Sequence, residues 1–167
     1  MTAPETASDA SAPARSTPER SGPVDRLDPR GLRFAAAVTP GVLAVALLTG
    51  NVVVLAVQTI VFVVGALLGP RFSPYALFYA RLIRPRIGPP AHTEDARPPR
   101  FAQGVGLAFA LLGVIAEVAG LDALAVVAIA FALVAAFLNA AFEFCLGCQV
   151  YLLGRRVIDR LAPASAH

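Results

Sequence analysis

The sequence contains no lysine and no tryptophan, one methionine and two cysteines. Charged residues make up 15% of it, against the roughly 25% usual for a soluble domain. The charge deficit points away from a water-exposed globule. With a 57% hydrophobic composition and a mean hydropathy of +0.68, it points to lipid. Two cysteines cannot make the disulfide framework of a small secreted domain, so their spacing matters more than their number. The first two dozen residues lack the apolar run of a signal peptide, so the start of the chain is expected in the cytosol. Residues 1–24, rich in Ala, Pro, Ser and Thr without apolar periodicity, are expected to be a disordered cytosolic tail.

The basic residues that are present are all arginine, and their positions carry the topology. Net charge is +3, but the arginines flank apolar runs and form no basic domain, so a lipid surface explains them and a nucleic acid does not. Four apolar runs are long enough to be membrane spans, at about 31–49, 52–68, 101–119 and 123–144. Asp28 and Pro29 form a helix start, a capping carboxylate followed by a residue that needs no N–H. Pro40-Gly41 should kink the first span, with Thr39 or a neighbouring helix satisfying the freed carbonyl. Gly50-Asn51 and Gly120-Leu121-Asp122 are tight turns, so the spans pair as two antiparallel hairpins. Gly65-Ala66-Leu67-Leu68-Gly69 has the spacing that lets another helix approach closely.

Five arginines precede or open the first span, six lie between the second and third, and three follow the fourth. Neither hairpin turn has any. The positive-inside rule then puts both termini and the middle segment on the cytosolic side of the cell membrane. In that middle segment Tyr75, Phe78, Tyr79 and Leu82 share one helix face. They define an interfacial helix over about 74–84, ended by Pro85, with a cytosolic loop over 85–100. Residues 157–167 are expected to form a C-terminal cytosolic tail. Arg33-Phe34-Ala35 returns as Arg100-Phe101-Ala102, each opening a two-span hairpin, a weak repeat that either duplication of a hairpin or shared membrane-entry chemistry produces. The expected fold is therefore all-α and integral to the membrane: four transmembrane helices in two hairpins across residues 25–156, plus the interfacial helix.

The chemistry concentrates in Phe144-Cys145-Leu146-Gly147-Cys148, where the last apolar run gives way to arginine. If the fourth helix continues through it, the two thiols are i, i+3 neighbours at a helix C-terminus, whose dipole opposes thiolate formation. Glu143 is then the nearest proton acceptor, Arg155 and Arg156 can stabilise negative sulfur, and Asn139 shares a face with Glu143. Three functional readings stand beside a purely packing role for the pair. One is dithiol–disulfide exchange or sulfur relay with a soluble partner. Another is binding of a soft metal ion by Cys145 and Cys148, for which one chain supplies no obvious third ligand. The third is transport of sulfur, a thiol or a metal. His92, Glu94 and Asp95 are expected to be solvated loop residues.

Asp28-Pro29-Arg30, Ser73-Pro74-Tyr75 with Arg84-Pro85, Pro99-Arg100-Phe101-Ala102-Gln103 and Phe144-Cys145-Leu146-Gly147-Cys148 together resemble the bacterial domain of unknown function 4395 (DUF4395) family, over about 25–156. The resemblance brings no activity and no cofactor. It implies a link, by gene neighbourhood, to thioredoxin-like proteins and thiosulfate sulfurtransferases, hence to thiol or sulfur chemistry. Four helices with Cys-x-x-Cys also resemble the quinone-linked disulfide-forming enzymes and vitamin K epoxide reductases. Those use more than one cysteine pair on the outer face, whereas this chain has one pair, expected to face the cytosol. The partners expected are the lipid bilayer, a thioredoxin-like protein or sulfurtransferase, and, compatibly, further copies of the chain.

Overall fold

A computed structural model describes residues 26–161; the N-terminal tail expectation, and the last residues of the C-terminal one, lie outside the described residues. Helix α1 (Pro29–Thr49) starts as its sequence dictates: the Asp28 carboxylate accepts the Arg30 N–H at 3.0 Å, and Pro29 takes the first turn. It runs on through Pro40, with the Thr39 hydroxyl donating to the Ala35 carbonyl at 2.8 Å. Gly50, in the left-handed region at φ 59°, ends it, and Asn51 caps α2 (Val52–Leu67) by accepting the Val53 and Val54 N–H groups. Helices α5 (Arg97–Val118) and α6 (Asp122–Phe142) form the second hairpin, turned at Gly120, φ 70°.

Helices α1, α5 and α6 are long and apolar enough to cross a membrane. Helix α2 is apolar but has 16 residues, about 24 Å of rise. Its core-facing side includes Leu55 and Phe62, which join Leu43, Ala46, Ala110, Ile129 and Ala132 in the buried centre of the bundle. The outward-facing Val57, Ile60, Phe131, Val134 and Phe137 are exposed, as lipid-facing residues are.

The hairpins pack crosswise, α1 on α6 and α2 on α5. Small residues set the α2–α5 distance: a Cβ on Gly65 would lie 2.8 Å from Gln103 Oε1, one on Gly106 2.9 Å from the Phe62 ring, and one on Gly113 3.2 Å from Leu55. Close approach thus uses Gly65 of the Gly65–Gly69 pair. Gly69 faces open space at φ 112° and turns the chain instead. The Arg-Phe-Ala repeat has a structural counterpart. Arg33, near the start of α1, pairs with Glu143 at the end of α6, and Arg100, near the start of α5, donates to the Ala66 and Leu67 carbonyls at the end of α2. Each hairpin's entry arginine therefore closes the exit of the other.

Three expectations need correcting. The middle segment is helical from Pro74 to Ile87, as α3 (Pro74–Phe78), a π-turn over Tyr79–Ile83, and α4 (Arg84–Ile87). Pro85 does not end it: the wider turn ahead of Pro85 accommodates a residue with no N–H, and Gly88 at φ 74° stops the helix. Part of its aromatic face packs on protein, while Phe78 (53%) and Leu82 (44%) stay exposed on the same face. Phe78 stacks on Phe34 at 5.8 Å, Tyr79 is buried against Gly31, and Tyr75 donates to the fully buried Gln58 at 2.6 Å. The 85–100 loop pairs with the segment before α1 in a two-residue ribbon, β1 (Arg26–Leu27) against β2 (Glu94–Asp95). Asp95 then accepts the Arg97 N–H, and α5 begins there, earlier than the expected span. Finally, the segment expected as a C-terminal tail from 157 is helical over its described residues. Helix α7 (Leu146–Leu161) continues well into it.

Candidate functional site: the thiol pair at the start of α7

Helix α6 stops at Phe142. Glu143 adopts the left-handed conformation at φ 56°, and the N–H groups of Glu143 and Phe144 both reach the Leu138 carbonyl, closing the helix in a left-handed cap with glutamate where glycine is usual. The Arg33–Glu143 ion pair, at 2.7 Å, spans this turn; with side chains 67% and 62% exposed it orients more than it stabilises. The chain then restarts as α7, which leans on α5. Gly147 allows this, since a Cβ there would lie 2.6 Å from the Ala102 Cα, and Phe101 and Tyr151 meet one turn on at 5.7 Å.

The break reverses the expected placement of the thiols. Cys145 and Cys148 do not close α6; they open α7. Cys145 immediately precedes the helix, its carbonyl accepts the Gln149 N–H, and its Sγ accepts the Cys148 N–H at 3.3 Å, as a capping side chain does. The positive end of the α7 dipole thus faces the sulfur, where the continued-helix reading had the negative end. Both cysteines are free and half-buried.

The two sulfurs also differ in acidity. A hydrogen bond from the Cys148 thiol, helped by the Cys148 and Gly147 N–H groups and opposed by burial, pulls Cys145 down to about 7. That same hydrogen bond, together with burial and the negative charges of Cys145 and Glu94, pushes Cys148 up. One sulfur is a ready thiolate near neutral pH and the other its proton donor.

The other candidate residues disperse. Glu143, two residues before Cys145, has its carboxylate on Arg33. Asn139 is half-buried in the last turn of α6, and Arg155 and Arg156 are exposed on α7, more than two turns beyond Cys145. The residue missed is Glu94, whose charge acts on Cys148 from the β-ribbon. It lies 54 positions from that cysteine, and no local pattern joins them. Among the described residues no group of three or more His, Cys, Asp and Glu could hold a metal ion.

The sequence profile of the DUF4395 family, a domain of unknown function, matches residues 27–156, and the chain belongs to that family. No curated protein and no solved structure matches it.

Proposed function

We propose that this DUF4395 protein is a membrane component of thiol or sulfur metabolism whose Cys145 and Cys148 exchange a disulfide with a thioredoxin-like protein or sulfurtransferase. The observation that carries the reading is the capping position of Cys145 at the start of α7. The Cys145 thiolate attacks one sulfur of the partner's disulfide. That S–S bond breaks, a mixed disulfide forms, and the partner's other sulfur leaves as a thiolate and takes up a proton. Cys148 then gives up its proton and attacks Cys145 Sγ, releasing the second partner thiol. Two electrons pass to the partner, and the chain keeps a Cys145–Cys148 disulfide. The reverse sequence reduces the chain.

In this account α2 is the fourth span. Support comes from its packing along α5, itself long enough to cross, and from the turns at either end of α2 that extend its apolar length. All arginines among the described residues lie at the end of the bundle where α1 and α5 begin. That supports a cell-membrane placement with this end, the thiol pair and both termini on the cytosolic side. Arg155 and Arg156 add positive charge along α7, and Glu143 positions the turn that presents Cys145.

The test is electron balance. Reduced protein in detergent is mixed with an oxidised thioredoxin-like protein, and thiols on both chains are counted by alkylation and mass spectrometry. The expected result is two thiols lost from Cys145 and Cys148 for every two gained by the partner. Unchanged counts on both chains would overturn the proposal.

A further inference from the structure

Helix α7 is more sharply two-faced than α1, α2, α5 or α6. Leu146, Val150, Leu153, Val157 and Leu161 form one stripe along its 16 residues, and all five are exposed. At about 100° per residue, Cys148, Arg155 and Asp159 lie roughly opposite that stripe, and Arg156 and Arg160 border one of its edges. The other edge belongs to the protein: Gly147 meets Ala102 and Tyr151 meets Phe101, both on α5. Residues 152–161 are exposed throughout, so α7 leaves the bundle with its apolar side uncovered by the rest of the described chain.

That division is the chemistry of a helix lying in a membrane surface. Helix α7 begins at the end of the bundle where α1 and α5 start, and exposed Phe142 and Phe144 lead to it in sequence from the apolar surface of α6. Arg155, Arg156, Asp159 and Arg160 crowd its second half, so it cannot enter hydrocarbon whole, while its apolar stripe is costly to leave in water. Three arginines against one aspartate leave this half net positive, complementary to the anionic phospholipids of a cytosolic leaflet. Arg156 and Arg160 can bury their stems along the edge of the stripe and keep their guanidinium groups at the phosphates. The side that leans on α5 is about a quarter-turn from the stripe, so α7 can rest on lipid and on the bundle together.

We infer that α7 lies in the plane of the anionic cytosolic leaflet, its leucine and valine stripe among the acyl chains and Arg156 and Arg160 at the phosphates. Cys148, opposite the stripe, then faces the cytosol, and the lipid surface holds the thiol pair where a soluble protein can reach it. The inference rests on the membrane placement proposed above and is independent of thiol exchange.

The chain has no tryptophan, so a single introduced one reports alone. Val157→Trp on the stripe, Asp159→Trp opposite it and Phe131→Trp on the exposed side of α6 are each reconstituted in nanodiscs of phosphatidylglycerol with brominated acyl chains. The fluorescence of Val157→Trp should be blue-shifted and quenched, and that of Asp159→Trp water-like and unquenched. Brominated phosphatidylcholine in place of phosphatidylglycerol should weaken the Val157→Trp quenching, and adding Arg156→Gln and Arg160→Gln should remove the difference between the two lipids. An unquenched Val157→Trp beside a quenched Phe131→Trp would overturn the inference and leave the membrane placement standing; no quenching at either would overturn both. A blue-shifted but unquenched Val157→Trp would also overturn it, because protein, such as a second copy, would then cover the stripe. So would equal quenching of Val157→Trp and Asp159→Trp, or of Val157→Trp in the two lipids.

Discussion

Removing the Cys148 thiol isolates the cause of Cys145 reactivity. The first contribution to the lowered pKa of Cys145 is the hydrogen bond from the Cys148 side chain, and Cys148→Ala deletes that donor while keeping the backbone N–H that caps the sulfur. Cys145 should then move from about 7 towards its ordinary 9.0. The full change would lower the thiolate fraction at pH 7 from about a half to about 1%. A more basic thiolate is also the better nucleophile, by about eightfold over this range, so the rate at pH 7 falls at most about sixfold. The assay is the pH dependence of Cys145 alkylation by iodoacetamide, followed by mass spectrometry of the intact protein. Because only the thiolate reacts, the wild-type rate rises with pH through a midpoint near 7, and in Cys148→Ala the midpoint shifts upward. A wild-type midpoint near 9, or a variant that keeps its midpoint near 7, would refute the reasoning.

Other consequences follow from the same packing. Gly147→Ala forces a methyl against the Ala102 backbone and should cost about 1–3 kcal/mol. A lower Tm in detergent, with an upward shift of the Cys145 midpoint, checks it. Tyr75→Phe removes the donor to the buried Gln58 and should destabilise the bundle by about 1–3 kcal/mol. Adding Gln58→Leu, which removes the stranded amide, should recover most of it in the same melts. Glu143→Gln weakens only an exposed ion pair, so Tm should move by less than the equivalent of ~1 kcal/mol and the Cys145 pH profile should keep its midpoint.

The scaffold was legible because membrane helices announce themselves in composition and in their ends. Asp28-Pro29 and Gly50-Asn51 act where their chemistry placed them, and the arginines mark one end of the bundle. The break after Phe142 was not legible. A left-handed helix cap normally shows a glycine or asparagine, and here a glutamate takes the left-handed position inside Phe-Glu-Phe, with an arginine 110 residues away pairing to its carboxylate. Reading through that break joined α7 to α6 and turned the dipole argument around. A signal for α7 was present all the same. Leu146, Val150, Leu153, Val157 and Leu161 recur at helical spacing from a start just after Cys145. The packing of Tyr75 and Tyr79 on protein escaped for a different reason, because an amphipathic pattern fixes which face is apolar and says nothing of whether lipid or protein covers it.

The central claim is that Cys145 and Cys148 form a working redox pair, and a redox titration addresses it directly. The intact protein is equilibrated in glutathione buffers across the cytosolic range of poise, quenched with acid and an alkylating reagent, and weighed. The account predicts one reversible, two-electron transition between a doubly alkylated dithiol and an unalkylated Cys145–Cys148 disulfide. Two thiols that stay alkylatable at every poise would contradict it.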